Sequence, residues 1–429
     1  MDSALLSSSP CGKFESMRSL AVFLLLFITS LSNADAESSH WKVGAASTDI
    51  SPADGTYLAG YGRNRRSTGR LDPLTASAVV IDDTKGAIAI LTLDNIGLTR
   101  PDVSRIQHAV HNKVPELQAA RVIVSSTHTH AGPDVVGLWG EEFWSSGRDE
   151  THIDQLIERA ATTIAEAFER RKPARLRVAN HDVPMDWVEN VSEPDLLDRR
   201  LTVLQFIDAD GQSIATLTNY ACHPTVLGPE NTLISADYVH GFVLEMSKAL
   251  PGEHIFLQGA IGGWVQPLQG DRSHGLAISH GAQLAQGALA LLESPADIPA
   301  EPIRFATTEI AVPLANWDFR LLTWIGVLDR EITDDGMVTS VARFDLGSVS
   351  FVTHPGETSP AFSLESRQIL GTEHTVVMGL TQDAMGYILK PDYFHNTDRY
   401  AEAEYLTSVS VGPEAGPALM AAIRTLKPE

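Results

Sequence analysis

The sequence predicts an α/β fold in which mixed β-sheets are flanked by helices within one large domain. Short β-branched runs, such as residues 122–124, alternate along the chain with amphipathic stretches such as residues 151–171. No internal repeat, linker or low-complexity segment interrupts this alternation. The 429 residues are 43% hydrophobic and 20% charged, so the chain can bury a large core in a single domain.

Each predicted strand is an apolar run bounded by turn residues, and residues 83–86 are expected to form the turn of a hairpin. We expect this pattern to place strands along the whole length of the domain. The predicted strands cover residues 41–50, 76–82, 87–94, 122–124, 175–178, 201–207, 213–221, 254–258, 304–312, 338–344, 349–353 and 375–379.

The predicted helices carry apolar residues at helical spacing, which gives each of them one face to bury. The first has Pro101 in its opening turn, where the missing N–H of proline leaves no hydrogen bond unmade. The predicted helices cover residues 100–114, 151–171, 238–250, 277–292 and 415–426.

The N-terminus has the pattern of a secretory signal peptide over residues 1–36. Residues 20–28 form an apolar run that is too short to span a bilayer as a helix, and residues 34–36 are a small-x-small cleavage motif. Met17 and the positively charged Arg18 lie just before this apolar run, so Met17 is a better candidate than Met1 for the initiator methionine. We therefore expect a secreted or periplasmic protein whose mature domain covers residues 37–429.

The charge of the chain restricts its partners. Thirty-two basic and 54 acidic residues give a formal net charge of −22. This charge argues against binding to nucleic acid and against adsorption to anionic lipid headgroups. It is compatible with a small neutral or zwitterionic amphiphile as the substrate, and it leaves peripheral membrane contact open.

Two histidines, His128 and His130, follow the β-branched run at residues 122–124, and Gly132 and Pro133 then end any strand. Alternate residues of a strand face the same side, so both imidazoles are expected to point to one spot. Neutral imidazole is the commonest protein ligand for metal ions. The alternative is a pair of loop histidines that hydrogen-bond to backbone carbonyls.

Four segments share one design, in which a strand ends at a potential ligand beside proline or glycine. They are residues 127–130, 221–224, 354–357 and 385–387. Two or more neutral imidazoles with a carboxylate, and room for water, form the ligand set of catalytic zinc. Because the segments are far apart in the sequence, their spacing leaves open whether they converge.

Several of these segments resemble the neutral, non-lysosomal ceramidase family. The matching segments occur in the order of the family and extend over most of the mature chain. They are residues 48–52 with 60–62, 126–133, 220–225 with 234–237, 354–358, and 379–381 with 386–387 and 399–400.

The resemblance implies a zinc-dependent amidohydrolase of sphingolipid metabolism, which uses zinc-activated water to hydrolyse ceramide or a related N-acyl lipid amide. It implies that His130 and Tyr400 face the scissile amide and its oxyanion, and that Gly60 helps to shape the pocket. It also implies that four residues hold the zinc ion: His128, His223, Glu357 and Tyr387.

The chain departs from the family pattern in the loop at residues 263–267. Gln266 takes the position of a serine in this loop, and Trp264 takes the position of an aspartate. Glutamine cannot act as a nucleophile, which excludes a covalent serine mechanism and leaves zinc-bound water. Gln266 is then expected to hydrogen-bond the polar head of the substrate, and Trp264 is expected to contact the substrate. The chain ends at Glu429, so we expect it to lack the C-terminal immunoglobulin-like domain of full-length ceramidases.

Two other functions fit the same residues. A two-metal hydrolase of phosphoesters or lactones could use Asp94 and Asp134 beside the two histidines as ligands for a second ion. A non-catalytic protein could bind a lipid or glycan in the same pocket, which the missing serine would explain. In the zinc hydrolase, Asp94 and Asp237 are instead candidates for orienting the histidines.

Overall fold

The computed structural model describes residues 41–429. The predicted signal peptide and the predicted start of the mature domain lie outside the described residues. No helix among residues 41–429 has the length and apolar character needed to cross a membrane.

The strands of the described part of the chain agree with the predicted runs and add several short ones. They are β1 (Trp41–Asp49), β2 (Gly69–Arg70), β3 (Thr75–Asp82), β4 (Ala87–Leu93), β5 (Val122–Ser126), β6 (Lys172–Asp182), β7 (Val188–Asn190), β8 (Arg200–Ile207), β9 (Ser213–Tyr220), β10 (Leu233–Ile234), β11 (Glu253–Gln258), β12 (Val265–Pro267), β13 (Ala296–Ile298), β14 (Arg304–Val312), β15 (Ile332–Thr333), β16 (Gly336–Leu346), β17 (Val349–Thr353), β18 (Glu357–Thr358), β19 (His374–Met378) and β20 (Tyr387–Ile388).

The helices of residues 41–429 include the five that the sequence predicts and four more. They are α1 (Arg100–Lys113), α2 (Glu150–Glu169), α3 (Tyr238–Ala249), α4 (His274–Leu291), α5 (Trp317–Trp324), α6 (Pro360–Leu370), α7 (Asp392–His395), α8 (Ala403–Ser408) and α9 (Ala415–Thr425).

The larger sheet has the strand order β11-β9-β8-β6-β1-β3-β4-β5, with β13 paired to β6. Its pairs are antiparallel except β4 with β5 and β9 with β11, which are parallel. The smaller sheet has the order β14-β16-β17-β19, with β15 paired to β16, and its pair of β17 and β19 is parallel. The predicted α/β class with mixed sheets is therefore confirmed.

The two sheets pack against each other, and helices cover their outer faces. Val79 of β3 and Phe351 of β17 lie in one apolar core between the sheets. Their neighbours Val80 and Val352 point the other way, into the apolar core that contains the helix residues. Helices α2 and α3 contact the larger sheet, whereas α6 and α9 contact the smaller one. The layers are therefore helices, sheet, sheet and helices.

The sequence analysis missed α6, although this helix carries clear start and stop signals. The Ser359 side chain accepts a hydrogen bond from the Ala361 N–H, and Pro360 occupies the first turn. Gly371 ends the helix in the left-handed conformation, with φ of +64°. The segment that carries Glu357 connects the end of β17 to the start of α6, so the strand and the helix together hold this segment in place.

Candidate active site

Loops that follow strand ends of both sheets meet around one cavity that opens to solvent. β5 ends at Ser126, β9 at Tyr220 and β17 at Thr353, and each of these strands leads into a segment with a predicted ligand. Five predicted site residues line the cavity: Gly60, His128, His130, Glu357 and Tyr387. The tertiary structure thus brings together segments whose convergence the sequence left open.

His128 and His130 approach each other for a different reason from the one expected. β5 ends at Ser126, and His128 has φ of +73°, in the left-handed region, so the two histidines do not lie on a strand. The His128 N–H donates to Asn95 O at 2.9 Å, which holds this turn against the end of β4. The two rings lie outside the strand with centroids 4.8 Å apart, edge to face, and the expected strand alternation is wrong.

His128 and His223 each use one ring nitrogen to contact the backbone. His128 Nδ1 donates to Ile96 O at 2.5 Å, and His223 Nδ1 donates to Val265 O at 2.8 Å. Both rings are buried, with centroids 4.9 Å apart. A backbone carbonyl at Nδ1 fixes the tautomer and leaves the Nε2 lone pair free, as in most metal-binding histidines of proteins.

The two Nε2 atoms point to one carboxylate oxygen. Oε2 of Glu357 lies 3.1 Å from His223 Nε2 and 3.4 Å from His128 Nε2. His128 Nε2 has no hydrogen-bond partner in spite of this approach. Three potential ligand atoms thus face one another, with a hydrogen bond between His223 and Glu357, and a bound cation could contact all three.

Burial and neighbouring charge set the protonation states of this group. Burial raises the pKa of Glu357, but its contacts with His128 and His223 lower the pKa further, to a net value below the ordinary range. Burial also holds the pKa of His223 below its ordinary value. At neutral pH the site therefore contains a carboxylate and a neutral His223, which are the forms that bind metal.

His130 completes a group of three histidines, with His128 and His223, whose ligand atoms lie within 4.8 Å of one another. Among residues 41–429, this is the one group of three His, Cys, Asp or Glu residues placed to hold a metal ion. Neither nitrogen of the His130 ring has a hydrogen-bond partner. Burial and the neighbouring histidines hold its pKa well below the ordinary value. His130 is therefore a neutral imidazole that lines the cavity and is available to accept a proton.

Gly60 lies directly beneath the His130 ring. A Cβ atom at this position would lie 2.3 Å from both Cγ and Nδ1 of His130, and Gly60 has φ of +90°. Close approach and backbone conformation thus both require glycine. The Tyr61 ring packs edge-on against the other side of His130, with centroids 4.9 Å apart. Gly60 and Tyr61 together fix the orientation of His130.

Tyr387 lies next to Glu357 because β18 and β20 pair in parallel, with Glu357 opposite Tyr387. Burial and the Glu357 carboxylate raise the pKa of Tyr387 well above its ordinary value. Its phenol therefore stays protonated in this environment and can donate to Glu357. A bound cation would reverse this preference, so the role of Tyr387 as a zinc ligand stays a prediction.

Tyr400 does not line the cavity. Its hydroxyl donates to Asp392 Oδ2 at 2.6 Å, and its ring stacks on Tyr393 with centroids 3.9 Å apart. Tyr405, which the sequence analysis did not single out, lines the cavity instead. Burial and the Glu357 carboxylate raise the pKa of Tyr405 above its ordinary value.

Trp264 directly precedes β12, and Gln266 is the middle residue of this short strand. The Gln266 side chain donates to Glu189 Oε1 at 3.3 Å, and Gln266 is not among the residues that line the cavity. The Trp264 ring packs on Tyr405 with centroids 5.4 Å apart, so it supports the cavity wall from behind. The predicted contacts of both residues with substrate stay predictions.

Three buried aspartates hold the loops around the site rather than the histidines themselves. Asp94 accepts hydrogen bonds from the Thr75 N–H and hydroxyl, both at 2.8 Å. The carboxylate of Asp134 accepts from three backbone N–H groups of the loop that follows it. Asp237 accepts from Val226 N–H and Leu227 N–H, and thereby shapes the turn after His223. Their oxygens are thus already engaged in loops, which gives the two-metal alternative little support.

Most of the cavity wall is apolar. Nine large hydrophobic side chains surround the polar group at its base, and one buried guanidinium, Arg330, interrupts them. Arg330 forms an ion pair with Asp383 and donates to Ala384 O, so its charge is compensated within the protein. The hydrophobic side chains are Ile96, Val136, Leu138, Trp139, Phe319, Leu328, Leu380, Met385 and Val409.

His354, the first residue of the Glu357 segment, is a structural residue. Its ring nitrogens lie 2.8 Å from Thr358 Oγ1 and 3.0 Å from Ser366 Oγ, and it is fully buried. Burial, with a smaller contribution from Arg367, lowers its pKa to about 3. Since the unfolded chain binds a proton at His354 near pH 6.5, the free energy of unfolding should fall as pH drops from about 6.5 towards 3.

We expect His354→Gln to flatten this pH dependence, by up to about 1.4 kcal/mol per pH unit for a single proton. Urea unfolding of both proteins at a series of pH values measures the slope. An unchanged slope between pH 6 and pH 4 would mean that His354 is not the group that takes up the proton.

Comparison with known proteins gives consistent matches. A family model described as neutral/alkaline non-lysosomal ceramidase, N-terminal, matches residues 41–283. The neutral ceramidase of Pseudomonas aeruginosa is 24% identical over 227 residues, which are 48% of this chain and 33% of that protein. The neutral ceramidase of Drosophila melanogaster is 25% identical over 276 residues, 56% of this chain and 37% of that protein. The aligned regions thus span about a third of each relative.

The fold comparison extends further along the chain. The crystal structure of the neutral ceramidase from Pseudomonas aeruginosa superposes with a TM-score of 0.76 at 16% identity, and covers 90% of this chain and 74% of that one. A structure of a ceramidase complexed with C2 gives a TM-score of 0.75 at 15% identity, with the same coverage. The fold of most of the chain is therefore shared with these structures.

Proposed function

The chain belongs to the neutral/alkaline non-lysosomal ceramidase family, and we propose that it is a zinc-dependent hydrolase of N-acyl lipid amides, ceramide or a close relative. The reaction consumes one water and converts the amide into a fatty acid and an amine. The observation that carries the proposal is the convergence of His128 and His223 on Glu357, where His128 and Glu357 line an apolar cavity.

The donor set fits zinc. Two neutral imidazoles and a carboxylate are common ligands of catalytic zinc, and both imidazoles are oriented by backbone carbonyls. A bound zinc ion would supply Lewis-acid chemistry, that is, a more acidic water and a polarised carbonyl. Tyr387, opposite Glu357 across β18 and β20, is the proposed fourth ligand.

His130 is the proposed proton carrier. Its two ring nitrogens are unpartnered, and its pKa is low because the ring is buried beside two other histidines. In the proposal, the ring accepts a proton from the attacking water and passes it to the leaving amine. Tyr405, whose ring lines the cavity, can donate a hydrogen bond to the carbonyl oxygen as negative charge develops there.

The apolar wall supports a lipid as the substrate. Residues such as Phe319, Leu328 and Leu380 offer an acyl chain a surface that removes it from water, while the polar base receives the amide. The substrate class is proposed from this division and from the relatives, which are named neutral ceramidases. Export from the cytoplasm is a further part of the proposal, supported by the apolar run at residues 20–28.

Turnover of a small substrate panel tests the proposal. We expect the purified protein to release fatty acid from N-acyl sphingosine, and a zinc chelator to abolish the release until zinc is restored. Phosphate esters and lactones with similar chains are the controls. Hydrolysis of these controls alone would favour the two-metal alternative, and binding of ceramide without turnover would favour a non-catalytic lipid-binding protein.

A further inference from the structure

Helix α5 presents an exposed aromatic face next to the cavity. Trp317 and Trp324 are 77% and 83% exposed, and Leu321 and Ile325 lie on the same side of the helix with 41% and 38% exposure. Large apolar side chains clustered on a water-exposed helix indicate a surface that binds a protein, a membrane or another ligand. We call these four residues the α5 face.

The opposite side of the same helix forms part of the cavity wall. Phe319 is buried and lines the cavity, as does Leu328 just after the helix. Asn316, at the start of the helix, donates to Ser408 O and Ser410 O. These bonds tie the helix to the segment that carries Tyr405 and Val409, which also line the cavity. The α5 face therefore lies on the outer side of the cavity wall.

We propose that the α5 face docks the protein on a zwitterionic lipid surface, of the phosphatidylcholine type, and so places the cavity at the membrane interface. Tryptophan prefers the level of the lipid headgroups, where its ring is partly buried and its N–H remains hydrated. Helix α5 has one exposed apolar face and one buried face, as does a segment that lies in the interface without crossing it.

The charges around the α5 face select this lipid. Asp318 and Glu404 line a groove together with Trp317 and Phe394, and both acidic side chains are exposed. Arg320, the basic residue of the helix, donates to Leu314 O. The acidic groove repels anionic headgroups and attracts the outward-facing ammonium group of choline, which tryptophan rings also bind. A second copy of this chain fits less well, because pairing two α5 faces would oppose their acidic residues.

The inference rests on the proposed function only for the idea that the substrate is held in a membrane. Its test therefore measures binding without turnover. Co-sedimentation with vesicles of pure phosphatidylcholine, free of ceramide, should retain the wild-type protein. The variant in which Trp317 and Trp324 are both replaced by serine should bind roughly a hundredfold more weakly. Leu244→Ser is the matched control, since Leu244 is 40% exposed on helix α3.

Each outcome decides the inference. We expect the Leu244→Ser protein to bind like the wild type, and added phosphatidylserine to weaken binding. Wild-type protein that stays in solution, a double tryptophan variant that binds unchanged, or stronger binding to anionic vesicles would overturn the proposal. Concentration-dependent dimerisation that the double variant abolishes would assign the α5 face to a second copy and would also overturn it. A protein that binds vesicles but hydrolyses no amide would contradict the proposed function alone.

Discussion

Replacement of Glu357 by glutamine should lower kcat/KM by about a thousandfold or more, because this change removes the only negative charge within the proposed metal site. The glutamine has nearly the same size, so packing around the buried side chain is preserved. Its neutral amide cannot balance a cation, and its NH₂ group can donate to the free Nε2 atoms of His128 and His223. The variant should therefore fold normally and bind zinc weakly.

Steady-state kinetics on a soluble N-acyl amide, with metal content measured in parallel, checks this prediction. Glu365→Gln is the matched control, because it makes the same chemical change in a side chain that is 34% exposed and pairs with Arg424 on the surface. The control should keep its activity within about twofold, as surface ion pairs contribute little. If Glu357→Gln retained both its metal and its activity, Glu357 would have to be removed from the site.

Replacement of Gly60 by alanine should lower kcat about a hundredfold while leaving the metal in place. The new Cβ would need the space that Cγ and Nδ1 of His130 occupy, only 2.3 Å away. Displacement of a catalytic ring by about 1 Å can cost two orders of magnitude in rate. The φ of +90° adds a backbone strain of roughly 1–3 kcal/mol in stability.

Gly62→Ala separates the two effects. Gly62 lies two residues further along the same loop, but a Cβ there would meet nothing within 4 Å, and its φ is not left-handed. This variant should keep the rate of the wild type. A Gly60→Ala protein that is folded and loses no activity would show that the position of His130 does not matter for catalysis.

The fold class and the main ligand segments could be predicted from the sequence because both depend on local patterns. β-branched runs predicted the strands, and a histidine or glutamate beside proline or glycine marked the strand ends at His223 and Glu357. The structure adds the convergence of these ends. This convergence depends on the pairing of strands that are separated in the sequence, such as β17 with β19. It therefore cannot be predicted from any local sequence pattern.

Other features could not be read from the sequence for physical reasons. The left-handed conformation of His128 is held by hydrogen bonds to residues 95 and 96, which lie more than 30 positions away. The position of Tyr405 in the cavity depends on how the short helices α7 and α8 pack, and such helices have little periodicity. Tyr400 matched a motif, yet its hydroxyl bonds to Asp392.

The metal content of the purified protein tests the central claim most directly. Elemental analysis of the wild type should give one zinc ion per chain, held by the ligand set around His128, His223 and Glu357. The His128→Ala variant, prepared in the same way and shown to be folded, should have lost it. Absence of metal from both folded proteins, or equal zinc in both, would contradict the account of this site as a zinc centre.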